Sequence, residues 1–325
     1  MKINEKHNFI SSPLNYIGGK QKILKQILPL FPENIGTFID LFAGGCNVGL
    51  NTKAKKVILN DNLTYLTDLY KEFQKKSYSS VIEHVNSRIN TYNLSKTNDD
   101  GYKKLRQLYN NNKNPLDLFV LTSYSFNHQI RFNNSHEFNN PFGKNRSSFN
   151  ISIEKKLEKF VKKIQESNVE IFNNSFDEIK FDKFDSNDFV YCDPPYLITT
   201  GTYNDGKRGF KGWGLKEEKK LLDLLDNLNK KKIKFALSNV LEHKGKINNI
   251  LKDWLNKNNY VINYIAKNYS NSNYQTSFND TDKTVEVLIT NYKPKIEKEL
   301  TLFDMTQENT HEIYREQGKS NPCYI

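Results

Sequence analysis

Residues 37–49 read Thr37-Phe-Ile-Asp-Leu-Phe-Ala-Gly-Gly-Cys-Asn-Val-Gly49. The apolar run 37–42 is a short buried-strand candidate, and the glycines after it form a tight turn that opens a helix. Glycine permits positive φ and lets a ligand approach the backbone closely. A second short strand, Val57-Ile-Leu59, ends at Asn60-Asp61, so that Asp61 follows Asp40 by 21 positions. A doubly wound fold places an acid at about that distance, on ribose hydroxyls. The turn is not GxGxxG, which disfavours a dinucleotide with a pyrophosphate. A nucleoside without phosphates, such as S-adenosylmethionine (AdoMet), fits better. The glycines alone would equally suit a plain structural turn; Asp61 tips the reading toward a nucleoside.

Outward from this stretch, strands and helices alternate. Lys22–Phe31 carries a helical stripe, interrupted by Pro29, and Leu63–Phe73 reads as an amphipathic helix. Val169–Phe172, Asp188–Cys192, Ile233–Leu237, Tyr260–Ile265 and an alternating Thr284–Thr290 read as strands. Leu215–Leu228, with Leu221, Leu222, Leu224, Leu225 and Leu228 inward, and Lys246–Leu255 read as helices. The alternation predicts an open, mostly parallel α/β sheet. Between about Ser77 and Asn168 the character changes to Asn, Ser, Lys and Tyr, with helical runs at Val81–Ile89, Tyr102–Tyr109 and Leu116–Phe126 and no clear period over 127–150. This stretch is expected to be an inserted module, and the chain from Pro294 onward a weakly ordered tail.

Composition removes several function classes. The chain has 325 residues, 37% of them hydrophobic, which suffices for a sizeable core. Lys and Arg number 48 against 37 Asp and Glu, and the net charge of +11 makes a polyanion a reasonable partner. Three cysteines at wide spacing (Cys46, Cys192, Cys323) offer neither a disulfide framework nor a zinc cluster. The six histidines form no ligand-spaced pair, so no metal is expected. Met1–Phe9 lacks an apolar signal core, and no run approaches the roughly 18 apolar residues of a membrane span. A cytoplasmic location is expected.

The chemistry concentrates in Asp193-Pro-Pro-Tyr196, directly after the apolar strand. The two prolines fix φ and remove two N–H donors just past a strand end, leaving carbonyls free to accept. A carboxylate beside a carbonyl is a two-acceptor pocket suited to an exocyclic amino group, and Tyr196 adds a flat face for a planar base. A rigid proline turn is the bland alternative.

These residues resemble the Dam-type class of DNA adenine N6-methyltransferases. Asn15-Tyr-Ile-Gly-Gly-Lys20 looks like that family's N-terminal lysine motif, Asp40–Gly45 like its glycine loop and Asp193–Tyr196 like its DPPY catalytic motif. Their order matches too. Tyr191–Phe210, with Phe235-Ala-Leu-Ser-Asn239, resembles the FokI-type modification methylases in particular. The resemblance implies a Rossmann-like methyltransferase fold, with a mostly parallel seven-stranded sheet formed by 1–76 and 169–293 and an inserted, mainly helical target-recognition domain at 77–168. It implies AdoMet contacts from Tyr16, Lys20, Asp40, Phe42, Ala43, Gly44, Gly45, Asp61, Ser175, Phe176 and Asp193. Asp193, Pro194, Pro195 and Tyr196 would be catalytic, acting on a flipped-out adenine in double-stranded DNA. The enzyme would be a monomer that serves a restriction–modification system, with a cognate endonuclease as a possible partner.

Two positions depart from the family pattern. Ser175 stands where many relatives carry an aspartate for the AdoMet adenine, with Asp177 as an alternative acceptor. Cys46 replaces a third glycine and reads as a small residue, not a nucleophile. Within the variable region, Arg131 is a candidate guanine reader. Phe126 or Phe132 is a candidate wedge for the vacated stack. Asn127 and Asn133 are candidate base contacts, and Lys144, Arg146, Lys207, Arg208 and Lys211 candidate phosphate contacts. N4-cytosine methylation, methylation of a protein glutamine or an RNA base, and a non-catalytic DNA-binding subunit are the competing readings. C5-cytosine chemistry needs a Pro-Cys nucleophile, and Pro322-Cys323 lies far from every motif.

Overall fold

A computed structural model describes residues 9–166, 168–199, 212–266 and 284–295. Lys207, Arg208, Lys211 and nearly all of the expected tail lie outside these residues. Among the described residues, eight strands form one mixed sheet: β1 (Thr37–Asp40), β2 (Lys56–Asn60), β3 (Val169–Phe172), β4 (Phe189–Cys192), β5 (Lys234–His243), β6 (Lys246–Ile247), β7 (Val261–Ile265) and β8 (Thr284–Thr290). The main path runs β3-β2-β1-β4-β5-β8-β7, seven strands across, and the two-residue β6 pairs with the end of β5. β3, β2, β1, β4 and β5 are parallel, and β8 runs antiparallel to β5 and β7. The mostly parallel sheet read from the sequence is therefore present.

The chain builds leftward from β1 to β3 and then restarts at β4 beside β1. The order reverses between β1 and β4, where Asp40 pairs with Tyr191. In open α/β sheets the crevice at such a reversal, outside the carboxyl ends of the strands, is where ligands bind.

Both sheet faces are covered, which is why these strands read as continuous apolar runs. Successive side chains alternate between faces. Phe38, Leu59, Phe189, Tyr191 and Leu288 enter one core, and Ile39, Ile58, Val190, Phe235 and Ile289 enter the other. The second core is closed by α7 (Leu215–Lys230), through Leu221, Leu222, Leu225 and Leu228, and by α8 (Asn249–Lys257). The first is closed by α1 (Leu24–Ile27), α2 (Thr64–Lys75), α3 (Tyr78–Thr91), α4 (Asp99–Asn112), α5 (Pro115–Tyr124) and α6 (Ile151–Glu166). Each helix of the 78–124 stretch starts on a side-chain cap: Ser77 accepts from Ser80 N–H, Asn98 from Gly101 N–H, and Asn114 from Leu116 and Asp117 N–H ahead of Pro115. α5 is buried on every side.

Several local expectations change. The Lys22–Phe31 helix shrinks to α1 between 3-10 turns, because Pro29 cannot donate within it. The expected Lys246–Leu255 helix begins later. Lys244 and Gly245 take positive φ (49° and 75°), reversing the chain into β6, and Asn248 caps α8 by accepting from Leu251 N–H. α6 was not expected, although Leu157, Phe160, Val161 and Ile164 give it an apolar stripe. β8 does not alternate: everything from Glu286 to Thr290 is buried, since the strand lies inside the sheet.

Candidate active site

A cleft of about 310 Å³ opens at the carboxyl ends of β1 and β4, at the order reversal. Tyr16 and Lys20 enter it from the N-terminal segment, and Asp40, Phe42, Ala43, Gly44 and Gly45 from β1 and its turn. Asp61 follows β2, Ser175 and Phe176 follow β3, and Asp193, Pro194, Pro195 and Tyr196 follow β4. The residues expected to bind the nucleoside and those expected to act on the base therefore share one cavity.

The glycine turn is held from three sides. Gly44 has φ of +46°, and a Cβ there would sit 2.7 Å from the Tyr16 ring. Its N–H donates to Asp61 Oδ2 (2.9 Å), and its carbonyl accepts from the Tyr70 hydroxyl of α2 (2.6 Å). Cys46 also has positive φ (58°). That conformation explains why glycine suits the position, and burial pushes the thiol well above its usual range.

Asp61 also accepts from Leu63 N–H (2.9 Å), so both carboxylate oxygens shape the turn. Asp40 is nearly inaccessible. Oδ2 accepts from Gly49 N–H (3.0 Å), while Oδ1 is buried without a hydrogen-bond partner among the described residues. Burial, reinforced by the neighbouring Asp193 charge, pushes the Asp40 carboxyl up to about 8. A buried acceptor of this kind suits a cationic partner. On the opposite wall, Phe42, Phe176 and Trp213 meet with ring centroids 5.5 Å apart in each pair. The Ser175 hydroxyl donates to Asp177, which also accepts from Lys220 (2.8 Å); these two contacts hold the Asp177 carboxyl down at about 2.

Around Asp193 the geometry is specific. Lys20 Nζ lies 2.7 Å from Asp193 Oδ1, with Lys20 almost wholly buried. The Tyr196 hydroxyl is 3.0 Å from the same oxygen and 3.2 Å from Glu286 Oε1, so its single proton is shared between two carboxylates. Asp193 also lines the cleft, so a carboxylate held at Oδ1 by Lys20 and Tyr196 stands at the cavity wall. Burial raises the Asp193 carboxyl above its ordinary range, and the Lys20 charge opposes the rise.

Residues 16–270 match the family of D12 class N6 adenine-specific DNA methyltransferases. The chain belongs to that family. It is 51% identical over 295 residues to the modification methylase StsI of Streptococcus sanguinis, covering 91% of this chain and 45% of that protein. It is 51% identical over 286 residues to the type II methyltransferase M.FokI of Planomicrobium okeanokoites (88% and 43%), and 37% identical over 258 residues to the modification methylase LlaI of Lactococcus lactis subsp. lactis (79% and 41%). The chain thus spans about half the length or less of these curated relatives.

For a D12-class chain, the region expected to read DNA has an informative geometry. Asn15 Nδ2 donates to the Asn127 carbonyl (2.9 Å), tying the lysine motif to the 126–128 turn, and Ile130 reaches the cleft wall. Phe126 is 42% exposed, with the Arg146 guanidinium 5.1 Å over its ring and 3.4 Å from Asn127 Oδ1. Arg131 and Lys144 are exposed. Phe132 is 2% exposed and stacks on Tyr65 at 4.4 Å, which removes it as a wedge: it is a core residue. Asn133 is already engaged, accepting from Ser135 and Glu137 N–H and donating to the Glu137 carboxylate, so base contact would require breaking those bonds.

Sequence reading missed Glu286, Trp213 and Lys220. The only signal for Glu286 was an acid within an otherwise apolar strand. Among the described residues no helix is long and apolar enough to cross a membrane, and no cluster of three or more His, Cys, Asp or Glu could hold a metal.

Proposed function

We propose that this chain transfers a methyl group from AdoMet to N6 of an adenine flipped out of double-stranded DNA, as a site-specific, adenine-specific DNA methyltransferase. The single observation that carries the reading is Asp193, a cleft-lining carboxylate with one oxygen fixed by Lys20 and Tyr196, directly ahead of the cleft-lining Pro194.

AdoMet supplies, when bound, an electrophilic methyl on a cationic sulfur. The residues present suit it: the glycine turn gives close backbone approach, Asp61 a carboxylate for ribose hydroxyls, and Asp40 Oδ1 an unpaired acceptor for an ammonium. Phe42 and Phe176 with Trp213 offer an aromatic wall for the adenine, flanked by Ser175 and Asp177. On the target side, Asp193 Oδ2 and the Pro194 carbonyl accept the two N6 hydrogens. That orients the amino lone pair into the cleft, and the carboxylate stabilises positive charge as it develops on N6. No nucleophile from the chain is needed. Tyr196 is 9% exposed, so little of its ring is open for stacking on the base.

Residues 77–168 serve in this reading as the target-recognition region, with Phe126 as wedge and Asn127, Arg131, Asn133, Lys144 and Arg146 toward DNA, joined by Lys207 and Arg208. The relatives named as modification methylases support a role in a restriction–modification system, and the reading extends to a cognate endonuclease as partner, a cytoplasmic location and a monomeric state. The test is a pair of variants. Asp193→Ala should abolish most methyl transfer and leave AdoMet affinity nearly intact, and Asp61→Ala should weaken AdoMet binding. Wild-type turnover in Asp193→Ala would sink the mechanism.

A further inference from the structure

Glu286 lies on β8, 4% exposed, 93 positions from Asp193 in the chain yet at the same spot in space. Its Oε1 accepts from the Tyr196 hydroxyl at 3.2 Å and stands 3.9 Å from Lys20 Nζ. Lys20 thus faces two carboxylates, at 2.7 and 3.9 Å, and Tyr196 bridges the same two. The charge arithmetic matters. Lys20 and Asp193 alone would cancel, leaving a neutral pair beside an amino group that must become cationic during methyl transfer. The Glu286 carboxylate sets a second acid against the one lysine among buried side chains, where charges act strongly.

We propose that Glu286 is a positioning residue of the methyl-transfer site, which shares Lys20 and Tyr196 with Asp193 and so leaves the Asp193 carboxylate free to stabilise the cationic N6. This rests on the reading of the cleft given above. Glu286 acts through Lys20 and Tyr196 and needs no contact with the base. A buried acid inside a sheet is otherwise an expensive choice, since an apolar side chain would pack there without desolvating a charge.

The groups facing Asp193 are Lys20 from the N-terminal segment, Tyr196 beyond β4, Glu286 from β8, Asp40 from β1 and Tyr191 within β4. Among them the Glu286 charge raises the Asp193 carboxyl and Lys20 lowers it. Replacing Glu286 by the near-isosteric Gln keeps a hydrogen-bond acceptor for Tyr196 and removes only the charge.

The experiment measures single-turnover methyl transfer to DNA across pH, with AdoMet affinity measured separately, for wild type, Glu286→Gln, Glu286→Asp, Tyr196→Phe and the Tyr196→Phe/Glu286→Gln double variant. The expected result for Glu286→Gln is a rate at least about tenfold lower, an AdoMet Kd within about twofold of wild type, and an acid limb moved to lower pH. Glu286→Asp retains the charge and should keep the limb in place. The double variant should lose less than the product of the two single losses, because both act on one network. An unmoved limb with a rate within about twofold of wild type, or fully multiplicative losses, overturns the proposal. If Glu286→Gln does not fold, a Glu286→Asp limb displaced from wild type overturns it equally. A wild type that methylates adenine beside an unaltered Gln variant defeats this inference alone. A wild type that transfers no methyl defeats the reading of the cleft as well.

Discussion

Replacing Lys20 by Met tests the electrostatics of the cleft quantitatively. The methionine keeps most of the side-chain volume and removes the ammonium that sits 2.7 Å from Asp193. Breaking a buried pair by deleting one partner strands the other charge, a loss of about 3–5 kcal/mol. Asp193 can escape that penalty by taking up a proton, which sets a ceiling. The ordinary carboxyl value is 3.8, so neutralising it at pH 7 costs about 4 kcal/mol, and at pH 5 about 2 kcal/mol, at 1.36 kcal/mol per pH unit. The sign follows from linkage. Without Lys20 the folded-state carboxyl rises further above its unfolded value, so the native state holds the extra proton and loses stability as pH increases. Lys20→Met should therefore be destabilised by up to about 4 kcal/mol at pH 7 and by about half that at pH 5. Urea denaturation of both proteins at the two pH values reads this directly. Its methyl-transfer acid limb should move to higher pH, opposite to the shift from Glu286→Gln. A destabilisation that does not change with pH would mean that the stranded Asp193 charge is not its cause. So would a Lys20→Met/Asp193→Asn double variant as unstable as Lys20→Met itself.

Three other outcomes follow from the geometry. Asp40, with its carboxyl near 8, must ionise to hold a cationic ammonium, so AdoMet affinity should climb with pH up to about 8; titration calorimetry of wild type and Asp40→Asn should show the climb only in the former. Asp117 is 1% exposed and accepts from both His84 and Arg88 at 2.7 Å, pinning α5 to α3; Asp117→Ala should lose about 3–5 kcal/mol in urea denaturation, and a loss under about 1 kcal/mol would mean the cluster is incidental. Phe132→Ala should lose about 3–5 kcal/mol, whereas Phe126→Ala should leave stability within about 0.5 kcal/mol and weaken transfer to paired DNA more than to DNA carrying a mismatch at the target; the reverse pattern would exchange their roles.

The legible parts of this protein were those whose meaning is local. Asp40 ends β1, Asp61 and Asp193 directly follow β2 and β4, and nearby residues (Gly44, Gly45, Pro194, Pro195) signal the turns that present them, so the sheet and the cleft floor could be read together. Glu286 could not be placed this way. Its partners Tyr196 and Lys20 lie 90 and 266 positions away, and only the insertion of β8 between β5 and β7 brings it to them. The lysine motif points Lys20 to the nucleoside, and its ion pair with Asp193 is likewise a product of tertiary folding. The 127–150 stretch lacked a period because side chain-to-backbone bonds hold it instead: Asn140 donates to the Phe126 and Gln129 carbonyls, and Asn133 closes its own turn. The choice between Phe126 and Phe132 rested on Tyr65, which no local pattern links to either. α6 is the exception, since its stripe is present in the sequence, set among dense lysines and glutamates.

In the proposed reaction Asp193 presents an acceptor to the amino group of a flipped adenine. The most direct measurement incubates the protein with DNA and methyl-labelled AdoMet, digests the DNA to nucleosides and separates them. Label is expected in N6-methyldeoxyadenosine and should be lost in Asp193→Ala. Label in N4-methyldeoxycytidine or 5-methyldeoxycytidine, or label in N6-methyldeoxyadenosine that survives Asp193→Ala undiminished, would contradict it.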